Sequence, residues 1–396
     1  MKSKLILEDG SQFEGASFGA PTSTAGEVVF STGMVGYPES LTDPSYLGQI
    51  LILTYPLIGS YGVPDRKYWE SDGIKISGLI VSNYIDTPSH IQSKQTLGAW
   101  LKSEQIPALE IPDTRFSTQK IRTKGTMLGK IVFNDKDVKF HDPNKENLVA
   151  KVSTKKIIKE GTGKKTVLLF DCGAKGNIAK CLAKRGVRVV TVPWDFDPFD
   201  KDVHLGGVEV AASPPSEVKR RAATSEVVLR LRHTSEVKFD AIVISNGPGD
   251  PKMADKTIQT IKKALTKKIP ILGVCLGHQL LALAAGGDTK KLEFGHRSQN
   301  QPCLLEDSER PARHASRALR GITDRCYITT QNHGFEVYKI PNDFKPWFTN
   351  TNDGSNEGII HNKFPIMSVQ FHPEANPGPN DTEWIFDYFL EHTLSS

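Results

Sequence analysis

Several things are missing from this sequence, and each absence removes a class of function. No apolar run approaches the ~20 residues needed to cross a bilayer. The start, Met1 to Gly10, has too short an apolar stretch for a signal peptide. It also meets Glu8 and Asp9 too early for a transit sequence, so a cytoplasmic location is expected. The five cysteines, at 172, 181, 275, 303 and 326, contain no C-x-x-C pair. That argues against a zinc site or a disulfide framework, so reduced thiols and no metal are expected. Neither G-x-x-x-x-G-K-[ST] nor G-x-G-x-x-G occurs, which leaves nucleotide binding without support. The net charge of +5 is mild, and no concentrated basic face demands nucleic acid. Neither nucleic acid nor a membrane is expected as a partner.

The chain does have length and rhythm. Its 396 residues allow two or three domains. Residues 1–151 read as a smaller mixed, strand-rich domain. Strands are expected at Lys4–Glu8, Glu27–Ser31, Gln49–Tyr55 and Ile74–Val81, and a helix over Ser93–Gln105. The polar Leu41-Thr42-Asp43-Pro44-Ser45-Tyr46 reads as a loop. Residues 152–165, lysine-rich and carrying Gly161-Thr162-Gly163, read as a linker.

From 166 to 396 strands and helices alternate. Strands are expected at Thr166–Phe170, Arg188–Val192, Phe239–Ser245 and Ile271–Val274, with helices at Asn177–Arg185 and Thr257–Lys267. That pattern predicts an α/β fold with an open, mostly parallel sheet, flanking helices, and a site outside the carboxyl ends of the strands. Two arginine-bearing stretches, 201–238 and 307–320, read as surface insertions. A last helix over Thr382–Thr393 carries Trp384, Phe386, Tyr388 and Phe389 as a core stripe.

Chemistry concentrates at Gly273-Val274-Cys275-Leu276-Gly277-His278-Gln279. An apolar strand ends at a cysteine between two glycines, and a helix-forming run follows, which is the pattern of a nucleophile elbow. A helix starting there turns free N–H groups toward the sulfur. Spacing alone leaves the choice even between a nucleophile and a buried structural thiol. His372 ends the apolar run Ile366–Phe371 and precedes Pro373 and Glu374, so an imidazole and an orienting carboxylate can reach the same sheet edge. The glycines of Asn246-Gly247-Pro248-Gly249-Asp250 sit at a further strand end and could present N–H groups to an oxyanion.

Taken together, Gly273–Gln279, Ser245–Pro251, Gln331–Phe335 and Phe371–Glu374 resemble the class I, triad glutamine amidotransferases. The N-terminal half narrows this. Leu7–Gly10, Gly26–Phe30, Leu41–Tyr46, Leu53–Pro56 and Asp113–Arg115 resemble the small, glutamine-hydrolysing subunit of carbamoyl-phosphate synthetase. Val192–Asp195, Asn300–Cys303 and Asn352–Gly358 lean toward its eukaryotic, pyrimidine-pathway form.

The resemblance implies Cys275 as nucleophile, His372 as base and Glu374 as orienting carboxylate. It implies oxyanion-hole N–H groups from Gly249 and Leu276. It also implies L-glutamine bound by Ser45, Gly247, Gly249, Leu276, Gln279, Asn332, Gly334 and Phe335. No cofactor is implied for this chain; ATP and magnesium belong to the partner, a large synthetase subunit or domain that uses bicarbonate and the released ammonia. The vertebrate ammonia-dependent mitochondrial homologue lacks the cysteine, so Cys275 points to glutamine use. The alternative is a non-catalytic, stabilising or regulatory subunit of an ammonia-dependent synthetase. One departure stands out: Ser298-Gln299 occupy a place where the family usually has glycine, with glutamine affinity the expected casualty.

Overall fold

The computed structural model describes residues 3–200, 238–306 and 326–394. Apart from Lys238, the two expected insertions lie outside the described residues.

The N-terminal strands are β1 (Ser3–Leu7), β2 (Gln12–Ser17), β3 (Thr24–Ser31), β4 (Gln49–Leu53), β5 (Gly78–Val81), β6 (Ala108–Glu110) and β7 (Met127–Phe133). They close into a barrel in the order β1-β2-β6-β5-β4-β3-β7. Closure leaves no sheet edge, which disposes of unpaired backbone groups without further cover. In β1 every second residue is buried, as a strand with one solvated face requires. In contrast β4 and β5, Ile50–Leu53 and Gly78–Val81, are buried throughout. They pair in parallel, as do β3 with β4 and β5 with β6, and helices cover them. These are α1 (Tyr37–Thr42), α2 (Leu97–Ser103) and α3 (Thr114–Lys124). Thr96 and Asp113 cap α2 and α3 by accepting from the N–H groups of Ala99 and Phe116. The expected loop at Leu41–Tyr46 is instead the end of α1 and a 3₁₀ turn at Pro44–Tyr46.

After the short α4 (Val149–Val152) the chain enters a ten-stranded sheet. Its first strand is β8 (Ile158–Glu160), inside the stretch expected to be a linker. β8 pairs antiparallel with β10 (Arg188–Pro193) at the sheet edge, where a short polar strand is tolerated. β9 (Thr166–Asp171), β10, β11 (Ala241–Ile244), β12 (Ile271–Val274) and β17 (Ile366–Val369) form the parallel centre. Helices α5 (Gly176–Lys184), α6 (Asp255–Thr266) and α7 (Leu276–Ala284) connect it, and α8 (Trp384–Leu394) packs on it. Phe386 and Phe389 are fully buried, with Trp384 and Tyr388 against the same core.

The other half is antiparallel: β13 (Asp288–Leu305), β14 (Cys326–Lys339), β15 (Phe344–Asn350) and β16 (Asn356–His361). β13 and β14 are long and bulged, and β13 bonds to the barrel domain as well. The N–H of Thr126 donates to Glu293 O at 2.6 Å and that of Thr32 to Arg297 O at 3.2 Å. The fold is therefore α/β, with the barrel docked beside the strand ends. Among the described residues no helix is long and apolar enough to cross a membrane.

Candidate active site

Cys275 is the single residue between β12 and α7, with φ 54° and ψ −104°. Few non-glycine residues accept positive φ, so the surroundings must hold it there. Its own N–H donates to Val369 O at 2.8 Å, and its carbonyl accepts from His278 N at 3.0 Å. The flanking glycines are required by contact. A Cβ on Gly277 would lie 2.2 Å from Ile244 O, and one on Gly273 would lie 2.5 Å from Gly277 O. The G-x-C-x-G spacing is thus a packing condition for the turn. Leu276 opens α7, so its N–H has no partner inside the helix and faces the same side as the sulfur's seat.

His372 lies just beyond β17, the strand paired with β12, and its N–H donates to Thr330 O at 2.9 Å. Its Nδ1 is 2.6 Å from Glu374 Oε1, while Nε2 is buried and free of any hydrogen-bond partner. Glu374 in turn contacts Lys175 Nζ at 3.2 Å, at the turn after β9. Burial works against the imidazolium, but the charges of Glu374 and Cys275 outweigh it and raise His372 to about 10. Burial also works against the Glu374 carboxylate, yet Lys175 and His372 hold it down to about 2. His372 therefore favours the protonated state, with Nδ1 oriented by Glu374 and Nε2 open.

This coupling predicts a pH window. His372 titrates above its ordinary 6.5, so its stabilising contribution is complete below pH ~6.5 and is lost as pH rises through ~10. Glu374 titrates below its ordinary 4.5, so its contribution is present above pH ~4.5 and is lost as pH falls through ~2. The melting-temperature advantage of the native chain over His372→Asn should be largest near pH ~6 and shrink steadily toward pH ~10. An advantage that grew across that range would contradict the assignment.

The cleft beside Cys275 collects the residues expected to hold substrate. Gly247 and Gly249 come from the turn after β11, and Leu276 and Gln279 from the first turn of α7. Asn332, Gly334 and Phe335 come from β14, and Ser45 reaches in from the barrel domain. Gly247 needs its missing side chain, because a Cβ would meet Cys172 O at 2.1 Å. Gly249 has φ +84°. Gln279 is anchored by donating to Phe335 O at 2.9 Å and to Gln370 Oε1 at 3.0 Å. The Cys275 thiol points at Asn332 O, 3.7 Å away. Both signs of charge line the cleft, with Glu27 ion-paired to Lys291 at 2.5 Å and Arg297 buried nearby.

Ser298 and Gln299 do not line this cleft. They line a second cavity with His372, Lys175 and Glu39, and Asn332 lines both spaces. The departure from glycine thus lies in the cavity that holds His372, on the other side of Asn332 from the cleft.

Some participants were not anticipated from sequence. Asp43, beside Ser45, accepts from Asn332 Nδ2 at 2.9 Å and from Asn246 Nδ2 at 3.3 Å. Asn246 also donates to Ser45 Oγ at 2.9 Å. Lys175 donates to the carbonyls of Ala375 and Asn376 besides pairing with Glu374. Glu70 of the barrel domain accepts from the N–H of Asn177 and from Asn376 Nδ2, joining the same buried network. The available signal was positional: Asn246 and Lys175 each stand at the carboxyl end of a parallel strand.

With this geometry in hand, comparison with known proteins gives consistent matches. Residues 168–392 match the family model of class-I glutamine amidotransferases, and residues 5–131 match that of the carbamoyl-phosphate synthase small chain, CPSase domain. The chain is 44% identical over 403 residues to the multifunctional protein CAD of Squalus acanthias. It is 41% identical over 433 residues to the multifunctional protein pyr-3 of Neurospora crassa. It is also 42% identical over 400 residues to the carbamoyl-phosphate synthase (ammonia), mitochondrial, of Mus musculus. Each alignment covers 98% of this chain but only 16%, 21% and 23% of the respective relative.

Proposed function

Because this chain belongs to the class-I glutamine amidotransferases and carries a carbamoyl-phosphate synthase small-chain domain ahead of that unit, we propose that it hydrolyses glutamine and delivers ammonia to a carbamoyl-phosphate synthetase. The observation that carries this reading is the meeting of Cys275, His372 and Glu374 at adjacent strand ends, next to a cleft built from two domains.

In the proposed reaction His372 already holds the thiol's proton at Nε2, and the sulfur of this ion pair attacks the side-chain carboxamide carbon as a thiolate. The oxyanion is held by the N–H groups of Leu276 and Gly249. As the C–N bond breaks, His372 returns the proton to the leaving nitrogen, which departs as ammonia. Water, deprotonated by the same imidazole, then cleaves the γ-glutamyl thioester to glutamate. Glu27, Lys291 and Arg297 give the cleft charges of both signs, as a zwitterionic amino acid requires. ATP, magnesium and bicarbonate are assigned to the synthetase subunit or domain, which consumes the ammonia.

The test is an assay of glutamate and ammonia in equal amounts, with and without that synthetase part, together with a mass increase for a γ-glutamyl group on Cys275. If neither product forms in either case, the chain is the non-catalytic, regulatory partner instead.

Asp43→Ala should raise KM for glutamine more than it lowers kcat. It leaves the buried amides of Asn332 and Asn246 short of an acceptor, each at a cost of ~1–3 kcal/mol. Both amides hold the cleft wall and neither touches the triad's protons. Steady-state kinetics check the split: an unchanged KM with a lower kcat would refute it.

A further inference from the structure

Beside the cleft, and sharing His333 with its lining, lies a buried polar cluster that the proposed reaction does not use. We propose that His296, His333 and Glu357, completed by Gln331, form a site for one divalent transition-metal ion of the zinc type. His296 stands on β13, Gln331 and His333 on β14, and Glu357 on β16. All four are buried, and the candidate ligand atoms of His296, His333 and Glu357 lie within 4.8 Å of one another.

The tautomers point the same way. His333 Nδ1 faces the Phe335 carbonyl at 2.9 Å, so it carries the hydrogen. Its Nε2 lone pair then faces two acceptors, Gln331 Oε1 at 3.2 Å and Glu357 Oε1 at 3.8 Å. The Gln331 amide stands with its oxygen toward His333. Its NH₂ donates to Thr329 Oγ1 at 3.1 Å and to Cys303 Sγ at 3.2 Å, and Thr329 Oγ1 spends its own proton on Gln301 O. His296 Nε2 donates to Asp353 Oδ2 at 2.8 Å, which leaves Nδ1 facing Glu357 Oε1 at 3.3 Å, with the Asn350 amide 3.4 Å from the same nitrogen.

Asn350 and Ser355 donate to Glu357 Oε1, whereas Oε2 is buried with no partner. A proton on His296 Nδ1 would satisfy one of these contacts. It would still leave the lone pairs of His333 Nε2 and Gln331 Oε1 opposed and Oε2 unmatched. A cation at the centre would take up the lone pairs of His333 Nε2, Gln331 Oε1 and Glu357 Oε1 together.

The dimensions also fit. Zinc bonds of ~2.0–2.1 Å in a tetrahedron place neighbouring ligand atoms ~3.3 Å apart, against observed separations of 3.2, 3.3 and 3.8 Å. Both imidazoles have the outer support typical of metal ligands, a carboxylate behind His296 and a carbonyl behind His333. Such an ion would tie β16 to β13 and β14 across the intervening β15, with His333 set between Asn332 and Gly334 of the cleft. The site does not depend on what Cys275 does.

The experiment uses the full chain in a Cys275→Ser background, which removes a competing thiol. The protein is stripped with a chelator, then examined by equilibrium dialysis against Zn²⁺ and by visible absorption with Co²⁺. One metal per chain is expected, with a tetrahedral cobalt spectrum free of sulfur charge transfer. Glu357→Gln should lose binding. Asp353→Asn, at a half-exposed position that folding tolerates, should weaken it about 10–100-fold. Three results would overturn the proposal: no retained metal, affinity unchanged in both variants, or a sulfur charge-transfer band that places the ion at a cysteine.

Discussion

Replacing Cys275 with serine should lower kcat for glutamine hydrolysis by about 10⁴-fold or more while leaving KM and the melting temperature nearly unchanged. Serine is smaller than cysteine and fits the same strained seat at φ 54°. The backbone bonds to Val369 and His278 persist, because those are made by the main chain. What disappears is a nucleophile that His372 can deprotonate at neutral pH. The cleft contacts of Ser45, Gln279, Asn332 and Phe335 involve other atoms, so glutamine should still bind. Single-turnover release of glutamate, read beside calorimetric binding of glutamine, separates the two effects. Glutamate production by Cys275→Ser at a rate near that of the native chain would remove the assigned mechanism.

Lys175→Met should destabilise the chain by about 3–5 kcal/mol, the usual cost of deleting one partner from a buried ion pair. The methionine fills much of the same volume, so packing loss is minor. The charge is the issue. Lys175 Nζ lies 3.2 Å from Glu374, and both side chains are essentially buried. Glu70 sits in the same network, already pushed upward by burial despite the nearby lysine. Without the cation two carboxylates face each other, and Glu374 loses the largest influence holding it near 2. Its folded-state value rises, so stability begins to fall at a higher pH on acidification than in the native chain. A double variant, Lys175→Met with Glu374→Gln, removes the stranded charge. It should recover much of the stability without recovering activity. Chemical denaturation of the four proteins in the cycle tests this, and strict additivity of the two single changes would argue against direct coupling.

The parallel centre of the sheet was legible because Val167–Phe170, Ile242–Ile244 and Ile271–Val274 are buried on both faces and must be apolar throughout. Cys275, His372 and Glu374 were legible for a related reason: they follow such runs immediately. The antiparallel half was harder. β13 carries Lys290, Lys291, Glu293, His296, Arg297, Ser298 and Asn300, so no alternation of apolar and polar residues marks it. Its buried polar groups are satisfied by partners distant in sequence, as when Asn350 reaches Glu357 and His296. The Asp43–Ser45 turn looked like an ordinary loop for the same reason, since its acceptors meet Asn246 and Asn332 roughly two hundred or more positions away. Barrel closure was equally hidden, because pairing of β1 with β7 joins segments whose sequences carry no sign of each other.

The position of β17 has a consequence for how the protein comes into being. This strand lies between β12 and β16, with five strands of the sheet on one side and four on the other. Every other described strand leaves the ribosome before it does. Until it arrives, a nascent chain holds two half-sheets with exposed facing edges, and such edges invite association with other chains. His372 and Glu374 follow β17 directly, so the same insertion that welds the halves also brings the proposed base to the strand end beside Cys275. Synthesis and activation are thereby coupled in time, and a polypeptide cut short before Ile366 would be inert and sticky at once.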